Sequence, residues 1–190
     1  MTLQPPPIPV FIAGTPGAQM PGTMNSLVRD PLTFLLAPPV VRLRRTGALT
    51  VAENTHQFIA FDTADEDTYS GWSGGSPTRY TVQAAGWYEV TVTASLSGTG
   101  ASGMLLAASL AVNGNSHTGV SSGGGWEGAT AYTSTGASTQ PKVVNSRHEV
   151  YANVSDYMQL DLWYSTESAI TAVDTTAGLE CSLRAVWTGV

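Results

Sequence analysis

Gly71-Trp72-Ser73-Gly74-Gly75 fits G-x-S-x-G, the spacing of a nucleophile elbow. That chemistry needs a strand before the serine and a helix after it, so that the hydroxyl stands at a strained, exposed turn. Here the serine is followed by Pro77 and then a strand-like run, Arg79 to Val82. None of His56, His117 and His148 has a neighbourhood that marks a general base. Gly98-Thr99-Gly100-Ala101-Ser102-Gly103 fits G-x-G-x-x-G and follows a strand. A dinucleotide site also needs a helix aimed at the pyrophosphate and an acid about 20 residues on. The run 104–114 is too short for that helix before its Asn-Gly turn, and the next acid, Glu127, lies beyond a Gly-rich loop. In a chain with 20 glycines both matches read as strand connections.

The only acidic cluster is Asp62-Thr63-Ala64-Asp65-Glu66-Asp67. Calcium takes about six to eight oxygens, and this run lacks the D-x-D-x-D-G loop spacing, so a solvated loop is expected. The histidines have no paired ligand spacing and Cys181 is the single cysteine, which argues against zinc. No metal and no cofactor are expected. Cys181 alternates with Leu179, Leu183 and Ala185 and reads as a buried small hydrophobe. A glycan hydrolase needs two acids about 5–10 Å apart in a cleft. Glu127 and Glu149 are conceivable, but their spacing does not recommend them, and no enzyme is expected. Trp72 and Trp126 sit in Gly/Ser-rich loops, where a ring either folds back over a sheet edge or meets a carbohydrate or protein ligand. Trp87, Trp163 and Trp187 lie on strand-like runs and are candidates for packing or subunit contact.

These side chains must be positioned by a chain of 190 residues, enough for one domain of about 150 residues plus an extension. Charged residues make up 12%, about half the usual share. Net charge is −6, and Lys142 is the one lysine. Nucleic-acid binding requires a basic stripe, and Arg42, Arg44 and Arg45 on one short segment read instead as a local pairing surface. The N-terminus lacks a signal-peptide pattern and no run approaches 18 apolar residues, so neither general export nor membrane spanning is expected. The sequon Asn153-Val154-Ser155 is set aside for the same reason.

Residues 1–24 are dense in Pro and Gly, which opposes helix and sheet. Asp30-Pro31 is then a helix-start signal, and Pro38-Pro39 a stop. Val28, Leu32, Leu35 and Leu36 fall on one helical stripe, joined by Leu27. So short a helix is unstable alone and requires a surface to lie on. From residue 40 the period becomes two. Val90, Val92, Ala94 and Leu96 alternate with Glu89, Thr91, Thr93 and Ser95. Met158, Leu160, Leu162 and Tyr164 point inward, and Gln159, Asp161, Trp163 and Ser165 outward. Asn113-Gly114 marks a hairpin turn. Many short strands with no helix in the body predict an all-β antiparallel sandwich or jelly roll over 40–190, preceded by an arm over 1–39.

Tyr80 to Val90, with Gly86-Trp87-Tyr88 at its centre, resembles the signature of the C1q/TNF-like jelly-roll superfamily, with Ala85 where the family has Pro. Leu110 to Gly114 resembles that family's strand ending in Asn-Gly. Val150 to Leu160 resembles its Gly-Asp hairpin, with Ser155 in place of Gly. The last strand, Leu179 to Trp187, sits where the family ends. Phe11 to Gly14, Met24 to Pro31 and Phe34 to Pro39 resemble the opening of small virion proteins of tailed actinobacteriophages. The two resemblances together imply a homotrimer with Trp87, Trp163 and Trp187 as contact candidates. They imply a non-enzymatic virion protein, assembled in the host bacterial cytoplasm. Its arm would dock on the capsid through Phe11, Leu27, Val28, Leu32, Leu35 and Leu36, as decoration or head fibre. The alternative they leave open is a minor tail or baseplate protein that binds a host-surface glycan through Trp72 and Trp126.

Overall fold

The computed structural model describes residues 30–97, 105–116, 130–133, 142–165, 172–173 and 180–189. Helix α1 (Asp30–Leu36) begins at the Asp-Pro pair and stops before the two prolines. Among the described residues all other regular elements are strands: β1 (Val40–Arg45), β2 (Gln57–Phe58), β3 (Thr63–Asp67), β4 (Tyr80–Thr81), β5 (Gly86–Ser97), β6 (Leu105–Val112), β7 (Asn115–Ser116), β8 (Thr130–Thr133), β9 (Lys142–Ala152), β10 (Tyr157–Ser165), β11 (Ala172–Val173) and β12 (Cys181–Gly189). They form two six-stranded sheets. In the first, strands run β9-β5-β12-β1-β3, with β11 extending the line of β12 along β5. In the second, β10 lies between β6 and the short β2 and β4, and β6 carries β7 and β8 on its far edge. Every pairing is antiparallel. This is the jelly-roll sandwich that the period-two pattern predicts.

The core follows the alternation. Val90, Val92, Ala94 and Leu96 of β5 face Leu106, Ala108 and Leu110 of β6 and Met158, Leu160 and Leu162 of β10 across a fully buried interior. Cys181, Leu183 and Ala185 of β12 join them, so the thiol is a core side chain. Two of the buried tyrosines have their hydroxyls satisfied by carbonyls: Tyr88 donates to that of Ala84 at 2.7 Å and Tyr164 to that of Val51 at 3.1 Å. Asn113 and Gly114 adopt φ of 53° and 77°, the twist a two-residue hairpin turn demands. Ser155 stands at φ 76° in the following hairpin, a conformation that favours glycine.

Two expectations are corrected. The acidic run is not a solvated loop: Thr63–Asp67 is strand β3, paired with β1. Aspartate is a poor strand former, and neighbouring arginines override the propensity. Asp65 accepts two hydrogen bonds from Arg44, at 2.5 and 2.6 Å, and Arg42 lies 3.4 Å away. Arg44 also reaches Glu180 at 3.1 Å. The three arginines thus are a local pairing surface. Asp62 takes the N–H groups of Thr46 and Gly47, and Asp67 those of Gly71 and Trp72. Second, Gln159 and Asp161 point away from the core yet are buried. His56 Nδ1 covers Asp161 at 2.9 Å, and Thr78 meets the Gln159 amide at 3.4 Å, so connecting loops fold over that part of β10.

These carboxylates carry a pH dependence. Hydrogen bonds from Asn113 and the Asn153 N–H hold Asp156 below the usual aspartate range. The Arg44 guanidinium does the same for Asp65. At Asp62 burial pushes upward, but the Thr46 and Gly47 N–H groups outweigh it. A depressed folded pKa contributes stability that is complete above the unfolded value, about 3.9, and is lost as pH falls through the folded value. The urea midpoint is therefore expected to hold from pH 7 to about 5 and to drop below about pH 4, with a shallower drop in Asp156→Asn. A midpoint flat down to pH 3 would contradict these assignments.

Candidate interaction surface

Among the described residues six large hydrophobics are exposed, and five of them form two patches: Leu32, Leu35 and Leu36 on α1, and Trp87 with Tyr151 on the first sheet. The rest of that sheet face mixes polar and charged residues with Val40, Val143 and Val186, and each patch asks for a partner.

In α1, Leu32, Leu35 and Leu36 project from one side, 52, 65 and 85% exposed, and Phe34 projects from the other. Phe34 is buried. Its ring meets Trp187 edge-on at 4.9 Å and Tyr69 at 6.2 Å. The Tyr69 hydroxyl donates to the Ala37 carbonyl at 2.8 Å, and the Trp187 N–H to that of Pro39 at 2.9 Å. The helix is thus clamped to its own sandwich by a residue off the leucine stripe, and the clamp turns the stripe outward. Phe11, Leu27 and Val28 lie outside the described residues.

The second patch follows from register. Antiparallel pairing of β5 with β9 sets Trp87 opposite Tyr151, and the next outward pair is Glu89 opposite Glu149. The two rings stand edge to face, centroids 5.7 Å apart, and are 44 and 47% exposed. Beside them an open depression of about 420 Å³ is lined by Glu89, Arg147, His148, Glu149 and Thr188. Arg147 pairs with Glu89, and the Thr188 hydroxyl donates to the Trp87 carbonyl at 3.2 Å. On the other half of the face, Arg42 stands opposite Arg184 in the β1–β12 pairing.

The remaining candidates are structural or lie elsewhere. Trp187 is partly buried under Phe34, its indole N–H given to the Ala85 carbonyl at 3.1 Å. Trp163 is half-buried on β10. Trp72 packs against the core, with its indole N–H near the Pro77 carbonyl at 3.3 Å. Trp126, Glu127 and His117 lie outside the described residues. Ser73 occupies a tight turn, its carbonyl accepting the Ser76 N–H, and no helix follows. Ser146 lies 3.0 Å from His148, but it is buried and its hydroxyl donates to the Ala108 carbonyl. A buried hydroxyl so engaged is placed to tie β9 to β6. Among the described residues no three His, Cys, Asp or Glu side chains are grouped to hold a metal ion, and no helix is long and apolar enough to cross a membrane. Tyr151, Glu89, Arg147 and Arg184 were missed in the sequence. Tyr151 and Arg147 are outward by parity, but only strand register joins them to β5.

No protein-family model matches the chain, and no characterised protein matches it in sequence. In three dimensions it is similar to the globular domain of zebrafish complement 1qA protein, with a TM-score of 0.51 and 10% identity over 78% of this chain and 96% of that one. At that identity the likeness establishes the fold: a C1q-like all-β jelly roll.

Proposed function

We propose that this protein is a non-enzymatic structural component of a phage particle, a trimeric jelly-roll head held on the capsid surface by its N-terminal arm. The observation that carries the reading is the outward leucine stripe of α1, held against the head by Phe34. Burying Leu32, Leu35 and Leu36 on a larger shell is worth about 1.5–3 kcal/mol each. Three arms on one trimer then multiply the hold by effective concentration. The C1q-like fold and the exposed aromatic pair Trp87–Tyr151 on the first sheet favour self-association into a closed ring. Irreversible capture on a particle requires no catalysis.

The test is a double variant, Leu35→Asp with Leu36→Asp. Both side chains are exposed, so the head should keep its melting temperature while occupancy on purified capsids falls about tenfold or more. Unchanged occupancy would refute the docking role, and a melted head would show that the stripe belongs to the core. A minor tail protein that binds a host-surface glycan is the second reading. The aromatic pair beside a polar depression favours it, since a sugar ring stacks on such a platform while carboxylates and Arg147 take its hydroxyls. Protein found on heads lacking tails supports the capsid role; protein found only on tails supports the second.

A further inference from the structure

The outward face of the first sheet is electrically divided. In the strand order β9-β5-β12-β1-β3, Glu89 and Glu149 are directly opposed at one side, and Arg42 and Arg184 at the other. Like charges directly opposite each other across strands are destabilising. The chain relieves half of each pair internally, Glu89 by Arg147 and Arg42 by Asp65. Among the described residues the side chains of Glu149 and Arg184 have no ion pair and no hydrogen bond. They stand two strands apart and out of line, since Arg184 is level with Thr91 and Glu149 with Glu89. One copy thus leaves the Glu149 carboxylate and the Arg184 guanidinium unanswered on the same face, with Glu66 of β3, opposite Arg42, a further unpaired carboxylate at its far edge.

Resting on the trimeric reading above, we infer that the ring closes head to tail, with Arg184 of one copy entering the depression beside Glu149, Trp87 and Tyr151 of the next. A heterologous contact joins two different patches of one chain, and a rotation that closes uses every patch once. The depression holds the carboxylate that a guanidinium matches, and the aromatic pair at its edge suits a planar cation. Each copy supplies one Glu149 and receives one Arg184, so these two charges are answered once at every contact.

The test is a charge swap in the full chain, read by sedimentation at graded concentration. Glu149→Arg alone and Arg184→Glu alone each put like charges across every contact. Each is expected to raise the dissociation midpoint of the trimer about tenfold or more. The double variant should restore it. The neutral pair Glu149→Gln with Arg184→Gln should remain folded and lose the salt dependence of association. If the wild-type chain is trimeric but the single variants are unchanged, or the double variant fails to recover, the pairing is wrong and the trimer stands. If the wild-type chain is monomeric at every concentration, the trimer itself is wrong and the pairing falls with it. All four changes are at exposed positions, and an unchanged β-sheet circular dichroism signal checks that the subunit is intact.

Discussion

Gly86→Ala is expected to lower the stability of the head by about 3–5 kcal/mol, and so its melting temperature by roughly 10 °C. Gly86 opens β5 at φ +146°, a backbone conformation that side chains resist. An added Cβ would stand 2.2 Å from the Gly189 carbonyl oxygen and 2.2 Å from the Trp187 indole nitrogen. Neither neighbour can yield cheaply. The carbonyl belongs to the strand paired with β5, and the indole is held by the Ala85 carbonyl on one side and by Phe34 on the other. Shifting Trp187 therefore loosens the clamp on α1 as well as the start of β5. Gly74→Ala is the control, because nothing lies within 4 Å of its added methyl group and its melting temperature should stay within about 2 °C of the parent. Thermal melts of the two variants decide the matter. Equal melting temperatures would mean that the backbone approach at Gly86 is looser than described.

In the trimer proposed above, Trp87→Asp is expected to leave the fold intact and release the subunits, giving a species of 19.8 kDa in place of one three times heavier. The Trp87 ring is 44% exposed and contacts Tyr151 only at its edge, so the core does not depend on it. The Thr188 hydroxyl is given to the Trp87 backbone, which the substitution keeps. An aromatic side chain at the centre of a contact buries on the order of 100 Å² or more, about 2–3 kcal/mol at 25 cal/mol per Å². The new carboxylate adds repulsion beside Glu89 and Glu149. In a ring each subunit loses this at two contacts, so dissociation should rise by two orders of magnitude or more. A Trp87→Asp protein that sediments like the parent would place the subunit contact on another face.

Much of this architecture is written in local signals. Alternation of apolar and polar residues in β5, β10 and β12 sets which side chains enter the core. Asn113-Gly114 dictates a tight hairpin, and Asp30-Pro31 with Pro38-Pro39 frames α1. These read directly because their causes act within a few residues: sterics at φ and ψ, a missing N–H, a capping oxygen. Propensity failed where a distant partner supplied the missing energy. The run 62–67 is too acidic to read as a strand until Arg42, Arg44 and Arg45 are placed beside it in β1. Phe34 lies off the leucine stripe, and its partners Tyr69 and Trp187 are far along the chain, so its role as clamp is invisible to periodicity.

The interaction face shows the same division. The sequence by itself determined that this is a charge-poor all-β chain with a short apolar helix at its front, because composition and period act residue by residue. Only the tertiary structure decided which charges share a face. Glu89 meets Glu149, and Arg42 meets Arg184, through registers that join residues 60 and 142 positions apart. Register is set by the burial of whole strands against one another, and a slip of one residue would turn every outward side chain inward.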